Sequence, residues 1–231
     1  MGVSAIIVTR GDVDMIPVLD SLPVAWEKVV WNNGNGTIRV NGQQVWGVTA
    51  GDISVYGRYA AIGYASHELI YVQDDDVVVS DPQAIVDAWH RANAKDLLEA
   101  FSQLQPGDVV EATDETFVVC NMPPEFRHDF YSDHALVGFG AAFHRDAPDR
   151  AFALMMGGED IVPPFFTDGW VETFNRCCDV VFTALTPRVL VDVPKQNLPW
   201  AEDYSRMYRQ PNHTTERMQM LELARRVRDA K

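Results

Sequence analysis

The run Leu69-Ile70-Tyr71-Val72-Gln73 ends in three consecutive carboxylates, Asp74-Asp75-Asp76, and this junction constrains the fold more than any other stretch of the chain. A short apolar run bounded by charge reads as a buried strand. In open α/β sheets, ligands bind outside the carboxyl ends of the strands, which is where these acids fall. Packed carboxylates repel one another unless a cation or a shared proton relieves them. Asp74 and Asp76 form an Asp-x-Asp pair. Mg²⁺ or Mn²⁺ held by one or two carboxylates commonly completes its shell with substrate phosphates. The pattern points to phosphate or diphosphate chemistry.

Strand and helix signals alternate around this junction. Val3–Thr9 reads as a first strand, followed by a helix from Asp12 to about Leu22. Trp26–Trp31 and Val45–Thr49 read as further strands, and Gly57–Ala65 as a small-residue helix packed on the sheet. Asp81-Pro82 is a strong helix start, an N-cap acid with proline at the first helical position. This βαβαβ order predicts a mostly parallel sheet with helices on both faces. The middle is strand-rich, over 108–111, Phe117–Asn121 and Ala135–Phe139. Pro148–Met156 and Phe165–Phe174 read as helices, and Arg188–Val193 as a last strand. A polar, proline-containing loop over 194–213 leads to a helix with Met220, Leu223, Ala224 and Val227 on one stripe, the spacing of a docking face. The expected organisation is one domain over residues 1–193 with an appended loop and helix over 194–231.

Composition narrows the partners. A net charge of −14 argues against nonspecific nucleic-acid binding. The charge is uneven, since residues 206–231 carry seven Arg or Lys against three acids. Three cysteines, Cys120, Cys177 and Cys178, suit a reducing cytoplasm better than a disulfide scaffold. No apolar stretch is long enough for a transmembrane helix. The N-terminus lacks a basic segment, so Val3–Thr9 is expected to be a strand and not a leader.

The ordered set IIVTRGD, VVWNNG, GRYAAIGYA and LIYVQDDD resembles glycosyltransferases of the GT-A fold. GFGAAFHR (Gly138–Arg145) and CCDVVFTAL (Cys177–Leu185) are similar to exostosin-type transferases of family 64, and the first half also resembles family 2. The resemblance covers about residues 3–193. It implies a Rossmann-like, mostly parallel central sheet with a C-terminal lid or helix. It also implies a Mn²⁺- or Mg²⁺-dependent hexosyl- or N-acetylhexosaminyltransferase taking a nucleoside diphosphate sugar, by family habit a uridine one. The acceptor is left open among protein, glycan and lipid-linked sugar.

Carried over residue by residue, the resemblance makes Asp76 the main metal ligand. Asp74 serves the metal or the ribose, and Asp75 belongs to the same donor cluster. Thr9 and Arg10 would cradle the base, Asn32 and Asn33 would meet its edge, and Arg58 would reach base or phosphate. Gly140 and Ala141 would lie near the sugar. A late His213 is a further candidate metal ligand, and Arg209 a candidate diphosphate contact. Asp179 is the first candidate for the acid near the anomeric carbon, with Asp160 in Gly157-Gly158-Glu159-Asp160 as its rival. A blander role for Asp179 is the N-cap of a helix over Val180–Leu185. A carboxylate in that place can serve as base for an acceptor hydroxyl or stabilise positive charge on the sugar.

Other functions remain open. A sugar nucleotidyltransferase shares the layout, but it wants a glycine-rich basic loop where this chain has Thr9-Arg10-Gly11-Asp12. A haloacid-dehalogenase-type phosphatase wants its Asp-x-Asp on the first strand and a downstream lysine, and only Lys95, Lys195 and Lys231 follow. A calcium-binding domain of the EF-hand type is excluded by the missing twelve-residue loop. A catalytically inactive sugar- or nucleotide-binding relative is the remaining alternative.

Overall fold

The computed structural model describes residues 2–34, 45–49, 51–102, 117–127, 133–156, 169–202 and 211–230. Its centre is a seven-stranded sheet. In chain order the strands are β1 (Val3–Thr9), β2 (Glu27–Asn32), β3 (Trp46–Thr49), β4 (Leu69–Asp74), β6 (Val118–Asn121), β7 (Ala141–His144) and β8 (Arg188–Val191). Across the sheet they run β3-β2-β1-β4-β7-β6-β8. Every pairing is parallel except the two made by β7. A two-stranded antiparallel ribbon, β5 (Val77–Val79) with β9 (Lys195–Asn197), sits beside the exit of β4.

The inner strands are apolar without a break because both faces of the sheet are covered. Side chains on a strand alternate between faces, and the two buried clusters divide accordingly. Ile6, Val29, Trp31, Ile70 and Val72 pack on one face with α2 (Gly57–Ala60), α4 (Ala147–Met156), α5 (Trp170–Leu185) and α6 (His213–Asp229). Ala5, Ile7, Val30, Leu69 and Tyr71 pack on the other with α1 (Ile16–Ser21) and α3 (Pro82–Ser102). Asp74 follows Ile70 and Val72 in this alternation, so it projects towards the α2 and α5 side. Gln73 projects to the opposite face, where its amide donates to the Val77 carbonyl and its oxygen accepts the Tyr71 hydroxyl.

The expected α/β, mostly parallel architecture is the observed one, with local differences. The strand expected at Ala135–Phe139 lies at Ala141–His144 instead. Ala135 and Val137 are buried, so the apolar signal was real, but residues 133–140 form turns and extended chain, not a ladder strand. Asp12 does not begin α1; Asp14 accepts the Ile16 amide at 3.0 Å, while Asp12 pairs with Arg10. Asp81 caps α3 as expected, accepting the Ala84 amide at 3.1 Å. The segment after residue 194 contains β9, whose polar residues carry no strand pattern. The stripe Met220, Leu223, Ala224 and Val227 is buried as expected. The strand expected at 108–111 lies outside the described residues. Among the described residues, no helix is long and apolar enough to cross a membrane.

Gly140 links the turn at 137–140 to β7 with φ of +107°. A Cβ there would stand 2.9 Å from both the Tyr71 hydroxyl and Ile85 Cδ1. Gly140→Ala is therefore expected to destabilise the protein by about 1–3 kcal/mol, seen as a Tm drop of roughly 3–10 °C in thermal unfolding. Gly63→Ala is the control. It is exposed, nothing would meet its Cβ, and its Tm should stay within about 2 °C of wild type.

Candidate functional site

The parallel half of the sheet brings the ends of β1, β2 and β4 to one edge, and most of the candidate residues gather there. Thr9 ends β1, and its hydroxyl accepts the Gly11 amide at 3.1 Å, which shapes the turn that follows. Its carbonyl accepts the Asn33 amide at 2.7 Å. Arg10 makes an ion pair with Asp12 at 2.5 Å, both half-exposed. Asn32 is buried, and its side-chain oxygen accepts the Gly34 amide. Gly34 passes so close to the Arg10 carbonyl that a Cβ would overlap it.

Asn33 joins this edge to the next loop. Its Nδ2 donates to the Ser54 carbonyl at 2.8 Å. Its Oδ1 accepts from the Ile53 amide and the Trp31 indole at 3.2 and 2.9 Å. Ser54, just before α2, adopts a positive φ of 59°, a conformation uncommon outside glycine, Asn and Asp. The Asn33 amide is therefore a brace for residues 53–54, which lead directly into α2 and Arg58.

The acid loop is held by its backbone. The Asp74 amide donates to the Gly138 carbonyl at 2.8 Å, and the Leu198 amide donates to the Asp76 carbonyl at 2.7 Å. The Trp200 indole donates to the Asp75 carbonyl at 2.9 Å. Asp75 is buried, whereas Asp74 and Asp76 are partly exposed. Gly138 lies flat against the Asp74 carboxylate, since a Cβ at 138 would overlap it. Leu198 and Trp200 were not singled out from sequence, and Gly138 entered only as the start of the GFGAAFHR segment, with no role of its own. Their contributions come from backbone approach and long-range contact, and neither leaves a motif.

Behind the acid loop sits Arg58, 3% exposed. Its Nη2 contacts Asp74 Oδ1 at 2.6 Å, and its Nη1 stands 3.9 Å from Asp179 Oδ2. Burial alone would lower the Arg58 pKa, but Asp74 and then Asp179 overcome it and raise the pKa above its ordinary value. Asp179 lies in the middle of α5, not at its start, so the reading of it as a helix cap fails. It is 6% exposed. The same charge and burial push the Tyr59 hydroxyl well above its usual pKa, burial being the larger cause.

The remaining candidates are dispersed. Gly140 and Ala141 belong to the turn and start of β7, and Ala141 is fully buried between Val72 and Cys120. His213 opens α6. Burial and then Arg217 depress its pKa, against opposing pulls from Asp179 and Glu216, so it belongs electrostatically to the α5–α6 side. Among the described residues, no three His, Cys, Asp or Glu side chains are grouped so as to hold a metal. Asp160 and Arg209 lie outside the described residues.

No family model and no curated protein matches the chain. Solved structures do match in fold. The mannosyltransferase PcManGT from Pyrobaculum calidifontis, in complex with GDP-Man and Mn²⁺, is 15% identical, with a TM-score of 0.50 over 99% of this chain and 74% of that one. S. aureus TarS 1-349 in complex with UDP-GlcNAc is 11% identical, with a TM-score of 0.46, covering 97% and 66%. The 2-C-methyl-D-erythritol 4-phosphate cytidylyltransferase from Thermus thermophilus is 17% identical, with a TM-score of 0.41, covering 97% and 100%.

His134, buried near the same helix pair, offers a check on this electrostatic picture. Burial, then Arg217 and Arg188, push its pKa from 6.5 down to about 3, against a smaller pull from Asp179. The unfolded chain thus takes up a proton on His134 that the folded chain refuses between those values. Stability contributed by the neutral side chain is present above about 6.5 and lost as the pH falls towards about 3. Urea unfolding followed across this range should show a shallower pH slope in His134→Gln than in wild type.

Proposed function

We propose that the protein, with its fold of the GT-A type, is a glycosyltransferase that takes its sugar from a nucleoside diphosphate sugar. The observation that carries this reading is the acid loop Asp74-Asp75-Asp76. It lies at the carboxyl edge of the parallel strands, beside Thr9, Asn32 and Arg58, where a nucleotide and its diphosphate would lie. The similar fold of PcManGT, which holds GDP-Man and Mn²⁺, supports the same assignment.

The residues suit a divalent cation of the Mg²⁺ or Mn²⁺ kind. Such ions need only one or two carboxylates when substrate phosphate and water complete the shell, and two partly exposed carboxylates are what the loop offers. Asp76 would hold the ion, with Asp74 beside it. When bound, the ion supplies positive charge to the diphosphate leaving group.

The chain's own residues do the rest. Thr9, Arg10 and the Asn32–Gly34 turn form the wall against which the nucleoside is placed. Asp74, already matched by Arg58, is suited to accept hydrogen bonds from neutral hydroxyls. In the transfer an acceptor oxygen bonds to the anomeric carbon as the bond from that carbon to the diphosphate oxygen breaks. The nucleoside diphosphate departs, and the acceptor's proton passes to a carboxylate. Asp179 is engaged by Arg58 and supplies fixed negative charge behind the site.

The test begins with thermal shift and calorimetry of the wild type against UDP, GDP and CDP, each with and without Mn²⁺. One nucleoside diphosphate should raise the Tm in a metal-dependent way. Asp76→Ala should lose that shift and weaken binding at least tenfold, with its own Tm within a few degrees of wild type. Metal-dependent binding that is unchanged in Asp76→Ala would sink the metal assignment. No response to any nucleotide would sink the transferase reading. A preference for a nucleoside triphosphate together with a sugar phosphate would shift the assignment to a nucleotidyltransferase.

A further inference from the structure

A charged side chain in an apolar cluster needs a reason. Arg58 is buried on the α2–α5 face of the sheet, the face on which Trp31, Tyr59, Ile62, Val72 and Cys178 form a core cluster. Replacing a buried ionic group with apolar side chains of similar volume is often neutral or stabilising. Packing alone therefore does not explain Arg58. Nor does direct ligand contact, because its side chain is only 4% exposed.

Its contacts give the reason. Arg58 Nη2 takes Asp74 Oδ1 at 2.6 Å, and Gly138 presses on Oδ2. The carboxylate is thus held between a guanidinium and a backbone surface while its side chain stays 39% exposed at the ligand edge. The guanidinium is drawn from behind by Asp179 Oδ2, 3.9 Å from Nη1. That nitrogen is buried and has no hydrogen-bond partner among the described residues, where charge and not a hydrogen bond orients it. The neighbouring elements α2 and β4 are joined through these two contacts to α5, which lies far along the chain.

We propose that Arg58 is a positioning residue for Asp74. With Asp179 on α5 as its second counter-charge, it fixes which part of the Asp74 carboxylate faces the donor's nucleoside. The inference rests on the transferase reading and deepens it, because it makes donor recognition depend on an acid in the middle of α5 that the donor does not touch.

The test uses the full chain, Mn²⁺, and whichever of UDP, GDP and CDP binds the wild type, together with its 2′-deoxy analogue. If none binds the wild type, it is the transferase reading that has failed. With binding established, Arg58→Lys keeps a charge but loses the planar fork. It should bind the nucleoside diphosphate at least tenfold more weakly and lose most of the wild type's preference over the deoxy analogue. Asp179→Asn leaves Asp74 and Arg58 in place and should weaken binding about three- to tenfold. Arg58→Met with Asp179→Asn removes one charge of each sign and should regain Tm relative to Arg58→Met alone while binding as weakly. Wild-type affinity and deoxy discrimination in Arg58→Lys would overturn the proposal. So would a double variant whose affinity returns together with its Tm, since Arg58 would then serve only the fold. If Arg58→Met does not fold, Arg58→Lys and Asp179→Asn decide alone.

Discussion

The ion pair between the buried Arg58 and the partly exposed Asp74 is the contact on which the ligand edge depends. Removing the guanidinium would leave the acids around it without their counter-charge. Here the stranded groups would be two carboxylates, Asp74 and Asp179, on different elements. The sheet supplies the direction of Asp74, α2 supplies the guanidinium, and α5 supplies the second acid. The Asn33 side chain braces residues 53–54 and so sets where α2 begins. The bond network from β2 to α2 to β4 is continuous, and each link is a side chain placed by the strand end or helix before it.

The acid loop itself is fixed in a different way. Its three carbonyl and amide anchors come from residues 138, 198 and 200. Backbone anchoring leaves the carboxylates of Asp74 and Asp76 at the ligand edge while the chain beneath them cannot drift. Charge from the side and hydrogen bonds from below thus separate two tasks, orienting one carboxylate and holding the loop that carries it.

Much of this was legible in the amino-acid sequence, for identifiable reasons. The β4 run and its acids stood out because a strand buried on both faces must be continuously apolar, and the change to charge marks its exit. The βαβ half followed from alternation and from the Asp81-Pro82 start. Strand β7 was displaced by several residues because Ala135 and Val137 are as buried as Ala141–Phe143, and burial without pairing looks the same in a sequence as burial with it. Strand β9 was missed because Lys195-Gln196-Asn197 has no apolar alternation. Arg58 was marked as a ligand contact because the resemblance places an arginine there within reach of base or phosphate. The contrary signal was in its neighbours: Tyr59, Ala61 and Ile62 are a core-facing set, and an arginine among them faces inward. Asn33 was read as a base contact, and nothing in a sequence shows that the next loop will occupy an amide.

One reversal in the sheet has a consequence of its own. In a wholly parallel sheet, every loop at the ligand edge follows the strand that carries it. Strand β7 runs the other way, so at this edge it begins instead of ending, and the turn containing Gly138 precedes it. The edge is thus written by loops leaving β1, β2 and β4 and, next to β4, by a loop entering β7. Each can lengthen or change without shifting the register of the other. A scaffold of this kind can keep one partner fixed through divergence while it exchanges the second.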